Sequence, residues 1–127
     1  MASVVLDASA VLAVLLAEPG AELVRSLLKE ATISAVNFAE VVSRLVDKGA
    51  PAHEIRAQIK PFGLSVVDFD AALAETTGLL RAQTRNKGIS LADRACLALA
   101  EREGLPVLTA DRRWAELDIG IDIRLVR

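Results

Sequence analysis

The sequence predicts an α/β domain in which a short, mostly parallel sheet is covered by helices. Short β-branched apolar runs alternate along the chain with stretches of helical apolar spacing, the pattern of a parallel sheet buried on both faces. Hydrophobic residues make up 53% of the 127 residues and charged ones 25%, enough for one packed core and far from a disordered composition. No internal repeat, low-complexity segment or linker divides the chain, so residues 1–127 read as one domain.

The elements follow in order. Ser3 to Leu6 is an apolar strand, stopped by Asp7 and Ser9, and a helical stretch then runs to Ala17. Pro19-Gly20 breaks it, and Ala21 to Glu30 forms a second helix with Leu23, Leu27 and Leu28 on one face. Thr32 to Ser34 is a short strand. Val36, Phe38, Val41, Val42, Leu45 and Val46 mark an amphipathic helix that ends at Lys48-Gly49. Pro51 opens a helix through Ile59, closed by Pro61 and Gly63. Ser65 to Val67 is a strand and Asp70 to Thr84 a helix, followed by the polar loop Arg85-Asn86-Lys87-Gly88. Ile89 to Glu103 is the most apolar helix, with Gly104 as its stop. Pro106 to Thr109 is a strand, Asp111 to Trp114 a short turn, and Ile121 to Val126 the last strand.

Composition excludes several classes of function. Aromatics are only 3%, so a base-stacking face of the single-strand-binding kind is not available. Fifteen Lys and Arg against seventeen Asp and Glu provide no global basic field for nucleic acid. A single Cys (Cys96) and a single His (His53) exclude an intramolecular disulfide and a Cys/His zinc site, and fit a reducing, cytoplasmic setting. The apolar run from Ala10 to Ala17 has no preceding Lys or Arg and follows Asp7, against a signal peptide, and is too short to span a bilayer. A soluble protein without membrane association is expected.

Four acids stand out by context. Asp7 and Asp111 each follow a strand, and Glu40 and Asp93 lie in the first turns of helices that follow a strand or loop. Each has an ordinary alternative as a helix cap: Asp7 and Asp111 as N-caps, Asn37 with Glu40 and Ser90 with Asp93 at capping-box spacing. Jointly they are more specific, because all four can face the carboxyl edge of a parallel sheet, where such folds bind ligands. Carboxylates gathered there repel by up to about 4 kcal/mol per pair at ~4 Å and an effective dielectric of 20. A cation relieves that repulsion. Oxygen ligands without His or Cys indicate Mg²⁺ or Mn²⁺, and the matching chemistry is phosphodiester hydrolysis by water activated at the ion.

The blocks Val-Leu-Asp7-Ala-Ser9, Asn37-Phe-Ala-Glu40-Val, Leu91-Ala-Asp93-Arg-Ala-Cys-Leu-Ala-Leu-Ala and Leu-Thr109-Ala-Asp111-Arg-Arg-Trp, in that order, resemble PIN-domain ribonucleases, and among them VapC-type toxins of toxin–antitoxin pairs. The resemblance spans essentially the whole chain. It implies a three-layer α/β fold, Mg²⁺- or Mn²⁺-dependent endoribonuclease activity on an RNA substrate, a cognate antitoxin that occludes the site, and a homodimer. Position by position it makes Asp7 and Asp93 the principal metal ligands and Glu40 and Asp111 their support. Ser9 and Thr109 become hydroxyl partners that fix the carboxylates. Ala8 and Ala110 depart from the family pattern, which often carries a polar residue there.

Arg81, Arg85 and Lys87 are solvated surface charges or RNA phosphate contacts, and Arg112 and Arg113 are phosphate or carboxylate partners. His53 has no paired nucleophile to act on. Cys96 reads as core, and Trp114 as packing under the Asp111 turn or at a partner interface. Two other classes compete with the nuclease. A PIN fold without catalysis, working only in a complex, has no need for four acids. A receiver or Asp-nucleophile phosphatase requires a second acid beside or two residues beyond the first, where Ala8 and Ser9 stand.

Overall fold

The computed structural model describes residues 1–127. β1 (Val4–Leu6) leads into α1 (Ala8–Leu15) and α2 (Ala21–Leu27), and a 3-10 turn over Leu28–Glu30 precedes β2 (Ala31–Ser34). Next come α3 (Ala35–Asp47), α4 (Ala52–Ile59), β3 (Ser65–Val67), α5 (Ala71–Leu79) and α6 (Arg81–Thr84). The chain closes with α7 (Leu91–Glu103), β4 (Val107–Thr109), a 3-10 turn over Arg112–Glu116 and β5 (Ile123–Leu125).

The sheet order is β3-β2-β1-β4-β5 and every pairing is parallel, so "mostly parallel" understates it. Side chains alternate across the pleat. Val4, Leu6, Ile33 and Leu108 join a core with α1, α3 and α4, while Val5 and Val107 join a second core with α5, α7 and Trp114. Strands buried on both faces need helices on both sides, which gives three layers. From β1 the chain first fills one side of the sheet and then returns to place β4 on the other. That reversal opens a crevice at the carboxyl ends of β1 and β4.

Several boundaries differ from expectation. The helix expected over Asp70 to Thr84 is two helices joined at Leu80, whose carbonyl accepts the Gln83 N–H at three-residue spacing and the Thr84 hydroxyl. The helix expected from Ala21 to Glu30 tightens into a 3-10 turn after Leu27, and the last strand keeps only Ile123–Leu125. Ile89 lies outside α7, since Ser90 is its N-cap. Gly20 has φ +96, and a Cβ there would meet the Val126 carbonyl oxygen at 2.5 Å, so the break after α1 requires glycine. No helix is long and apolar enough to cross a membrane.

Candidate active site

Asp7 stands where β1 ends and α1 begins. It occupies the N-cap position but its side chain caps nothing, contrary to the cap alternative. Its Oδ2 accepts the hydroxyl of Ser9 at 2.7 Å and that of Thr109 at 2.9 Å. Ser9 Oγ accepts the Ala110 N–H at 2.9 Å, and Thr109 Oγ1 accepts the Asp111 N–H at 3.0 Å. The ends of β1 and β4 are thereby tied through one carboxylate. Only 5% of Asp7 is exposed. Burial pushes its pKa up to about 6, against the pull of the two hydroxyls; the charges of Asp93 and Glu40 push the same way.

Glu40 lies in the second turn of α3, not the first, and the capping box expected for Asn37 with Glu40 does not form, because Ser34 takes the N-cap by accepting the Val36 N–H at 3.2 Å. Asn37 is wholly buried and does something else. Its Nδ2 donates to Glu40 Oε1 at 2.9 Å and to the Ala92 carbonyl at 3.0 Å, docking α3 on α7 beside Asp93. Burial raises the Glu40 pKa, Asn37 pulls it down, and Asp93 adds to the rise.

Asp93 is the third residue of α7 and closes a capping box. Its Oδ2 accepts the Ser90 N–H at 2.9 Å, while its own N–H donates to Ser90 Oγ at 3.1 Å. One oxygen is thus committed to the helix start, and the other is outside that bond.

These three acids line one cleft of about 330 Å³, together with Ser9, Leu12, Leu16, Glu18, Arg44 and Asp111. Asp111 reaches it in a different condition. Arg113 closes on its carboxylate with Nε at 3.0 Å and Nη2 at 2.6 Å, and the Arg113 N–H adds a third bond at 3.0 Å. That guanidinium holds the Asp111 pKa below the ordinary value. No group of three or more His, Cys, Asp or Glu side chains is gathered tightly enough to enclose an ion alone. Asp7, Glu40 and Asp93 instead each have one oxygen oriented by a protein donor, a donor set suited to Mg²⁺ or Mn²⁺, which retain much of their water.

Residues 4–120 match the PIN domain family model. The chain belongs to the PIN-domain family. This PIN domain has no match among curated proteins. Its fold is shared with a chain of DNA-bound VapBC from Salmonella typhimurium, at 23% identity, TM-score 0.80 and full coverage of both chains. VapBC2 of Rickettsia felis, bound to a promoter DNA fragment, matches at 20% identity and TM-score 0.76, covering 96% of this chain and 97% of that one. Mycobacterium tuberculosis VapC20, a sarcin–ricin loop cleaving toxin, matches at 14% identity and TM-score 0.69, covering 94% and 99%.

The basic residues named from sequence fall elsewhere in this PIN domain. Arg85, Lys87, Arg112 and Arg113 are exposed and none lines the cleft. Arg112 Nη1 lies 3.4 Å from the Arg127 carbonyl, and Arg113 is the partner of Asp111. His53 is exposed, Cys96 is buried core, and Trp114 is buried beneath the Asp111 turn. Burial pushes the Cys96 thiol far up, and the charges of Asp7, Asp93 and Glu40 add to it. Sequence reasoning missed Glu18 and Arg44 in the cleft and the docking role of Asn37. Arg44 had one available signal: it follows Glu40 by four residues and so shares its face of α3.

Proposed function

We propose that this PIN domain is a metal-dependent endoribonuclease, the toxin of a toxin–antitoxin pair, acting in the cytoplasm. The observation that carries the reading is the convergence of Asp7, Glu40 and Asp93 on one cleft at the switch point of the sheet. A carboxylate whose pKa is lifted by burial, with the charges of Asp93 and Glu40 adding to the rise, is costly to keep, and such groups gather at functional sites.

Asp7 and Asp93 would hold Mg²⁺ or Mn²⁺, with Glu40 supporting them. The ion, when bound, supplies the positive charge that activates water and offsets charge on a phosphodiester. Ser9 and Thr109 fix one Asp7 oxygen and so aim the other; Asn37 does this for Glu40, and the Ser90 amide for Asp93. Asp111, clasped by Arg113, shapes the rim rather than acting as a free ligand.

An antitoxin partner is supported by a second feature. An apolar groove of about 660 Å³ runs between α3 and α4, lined by Phe38, Val42, Val46, Ile55 and Ile59, with Arg56 and Lys60 at its edge. Those cations fit an amphipathic antitoxin segment carrying acidic residues beside its apolar ones. A cation from the same antitoxin would meet the carboxylates of the cleft. The toxin itself is proposed to form a homodimer.

The deciding experiment is RNA cleavage by the purified protein with Mg²⁺ or Mn²⁺. Activity is expected to stop with EDTA, to fall at least ~100-fold in Asp7→Ala or Asp93→Ala, and to vanish in the complex with the antitoxin. Undiminished cleavage by Asp93→Ala removes that residue from the site, and cleavage in EDTA removes the metal.

A further inference from the structure

Resting on the nuclease reading, we infer that Arg44 holds a backbone phosphate of the RNA strand in the cleft, next to the phosphodiester that is cut. Asp7, Glu18, Glu40, Asp93 and Asp111 line the cleft, and Arg44 is the one cation among its lining residues. With Asp111 matched by Arg113 and Glu18 by Arg127, three carboxylates still face a polyanion that has to enter. The protein carries no net positive charge to draw RNA in from a distance, so attraction must be local.

Arg44 is placed for that task. It lies one turn beyond Glu40 on α3, is exposed, and reaches the same cleft. Two carboxylates are available to it there, Glu40 four residues back and Glu18 across the cleft. It pairs with neither: the ion pairs of the structure use Arg102, Arg113, Arg124 and Arg127. Glu18 is matched instead by Arg127 at 3.5 Å. The Arg44 guanidinium therefore keeps its fork of donors for a ligand, and that fork fits two phosphate oxygens. The competing role is a plain counter-charge that lets the metal-free acids stay together.

The experiment compares the parent, Arg44→Ala and Arg44→Lys. Binding of a labelled random-sequence 12-nucleotide RNA is measured by anisotropy in Ca²⁺, and cleavage of the same pool in Mn²⁺. Arg44→Ala is expected to weaken binding about tenfold and to raise KM while kcat stays within about threefold. Its binding should lose about 0.7 from the slope against log salt, the share of one phosphate on a single strand. Arg44→Lys restores the salt slope and part of the affinity, and the Mn²⁺-dependent rise in melting temperature is the same in all three. Equal RNA binding by the parent and Arg44→Ala overturns the inference, as does a parent that binds no RNA. A lower melting temperature of Arg44→Ala in EDTA with unchanged binding assigns the counter-charge role instead. Arg44-dependent binding without cleavage keeps the phosphate contact and removes the nuclease reading.

Discussion

Asn37 and Glu40 meet one turn apart on α3 through a 2.9 Å hydrogen bond, and the same amide nitrogen of Asn37 reaches the Ala92 carbonyl of α7 at 3.0 Å. One buried amide thereby sets both the direction of a carboxylate and the spacing of the two helices that carry Glu40 and Asp93.

Replacing Asn37 with Ala is expected to cost about 1 kcal/mol, the net worth of the hydrogen bond that its buried amide makes from α3 to α7. Activity should fall as well, since Glu40 is no longer aimed. Urea unfolding alongside cleavage rates checks both; an Asn37→Ala protein of parental stability would mean that the contact does not hold α3 on α7.

The acid of Asp7 makes stability depend on pH with a definite sign. Its pKa is about 6 when folded and 3.8 ordinarily, so between those values the native state binds more protons than the unfolded chain. Stability from this group is complete below pH 3.8 and is lost as pH rises through 6, by about 3 kcal/mol in metal-free buffer. Measured against Asp7→Asn in EDTA from pH 4 to 7, the parent should lose most of that amount. Parallel profiles for the two proteins would refute it.

Metal should offset the same cost. At a hundredfold excess over Kd, a bound ion stabilises by about 2.7 kcal/mol, roughly a 10 °C rise in melting temperature for a chain of this size. Asp93→Asn should lose most of that rise while keeping its helix cap, because an amide oxygen can still accept the Ser90 N–H. Thermal melts in EDTA and in Mn²⁺ separate the two roles; a variant that keeps the full Mn²⁺ shift would leave Asp93 a cap only.

Asp111 and Arg113 form a pair whose side chains are 22% and 61% exposed, so Arg113→Ala should change stability by no more than about 1 kcal/mol. Loss of the guanidinium should let the Asp111 pKa rise toward its ordinary value, which carboxyl NMR titration reads directly. Asp111→Asn is expected to reduce cleavage less than Asp93→Asn does. The reverse ranking in parallel rate measurements would show that the clasp opens during turnover.

Cys96 should resist alkylation in the folded protein, as a fully buried thiol whose pKa is raised by burial and by three nearby acids. Rapid labelling by iodoacetamide under native conditions would contradict the packing of α7.

The alternation of strands and helices was legible because apolar spacing reports burial directly, and Asp7 and Asp93 stood out as polar residues in apolar surroundings. What escaped depends on contacts that spacing cannot rank. Asn37 and Glu40 have the separation of a capping box, and only the position of Ser34 one turn earlier decides against it. Glu18 and Arg44 look like solvated charges until the fold brings their elements to one crevice. Arg113 was open between phosphate and carboxylate, and the 3-10 turn after Asp111 folds it back onto its neighbour.

The hydrogen bond from Thr109 to Asp7 joins residues separated by 102 positions, and β4 pairs directly with β1 while most of the chain lies between them. A chain still emerging from the ribosome can already display Asp7, Glu40 and Asp93 without the strand that aligns the first of them. Long-range parallel pairing of this kind forms late and cooperatively. On the proposed reading, the cell meets no graded build-up of cutting power during translation, and a product truncated before β4 is harmless. Assembly of the cleft waits for the last sixth of the polypeptide, from Val107 onward, to fold back.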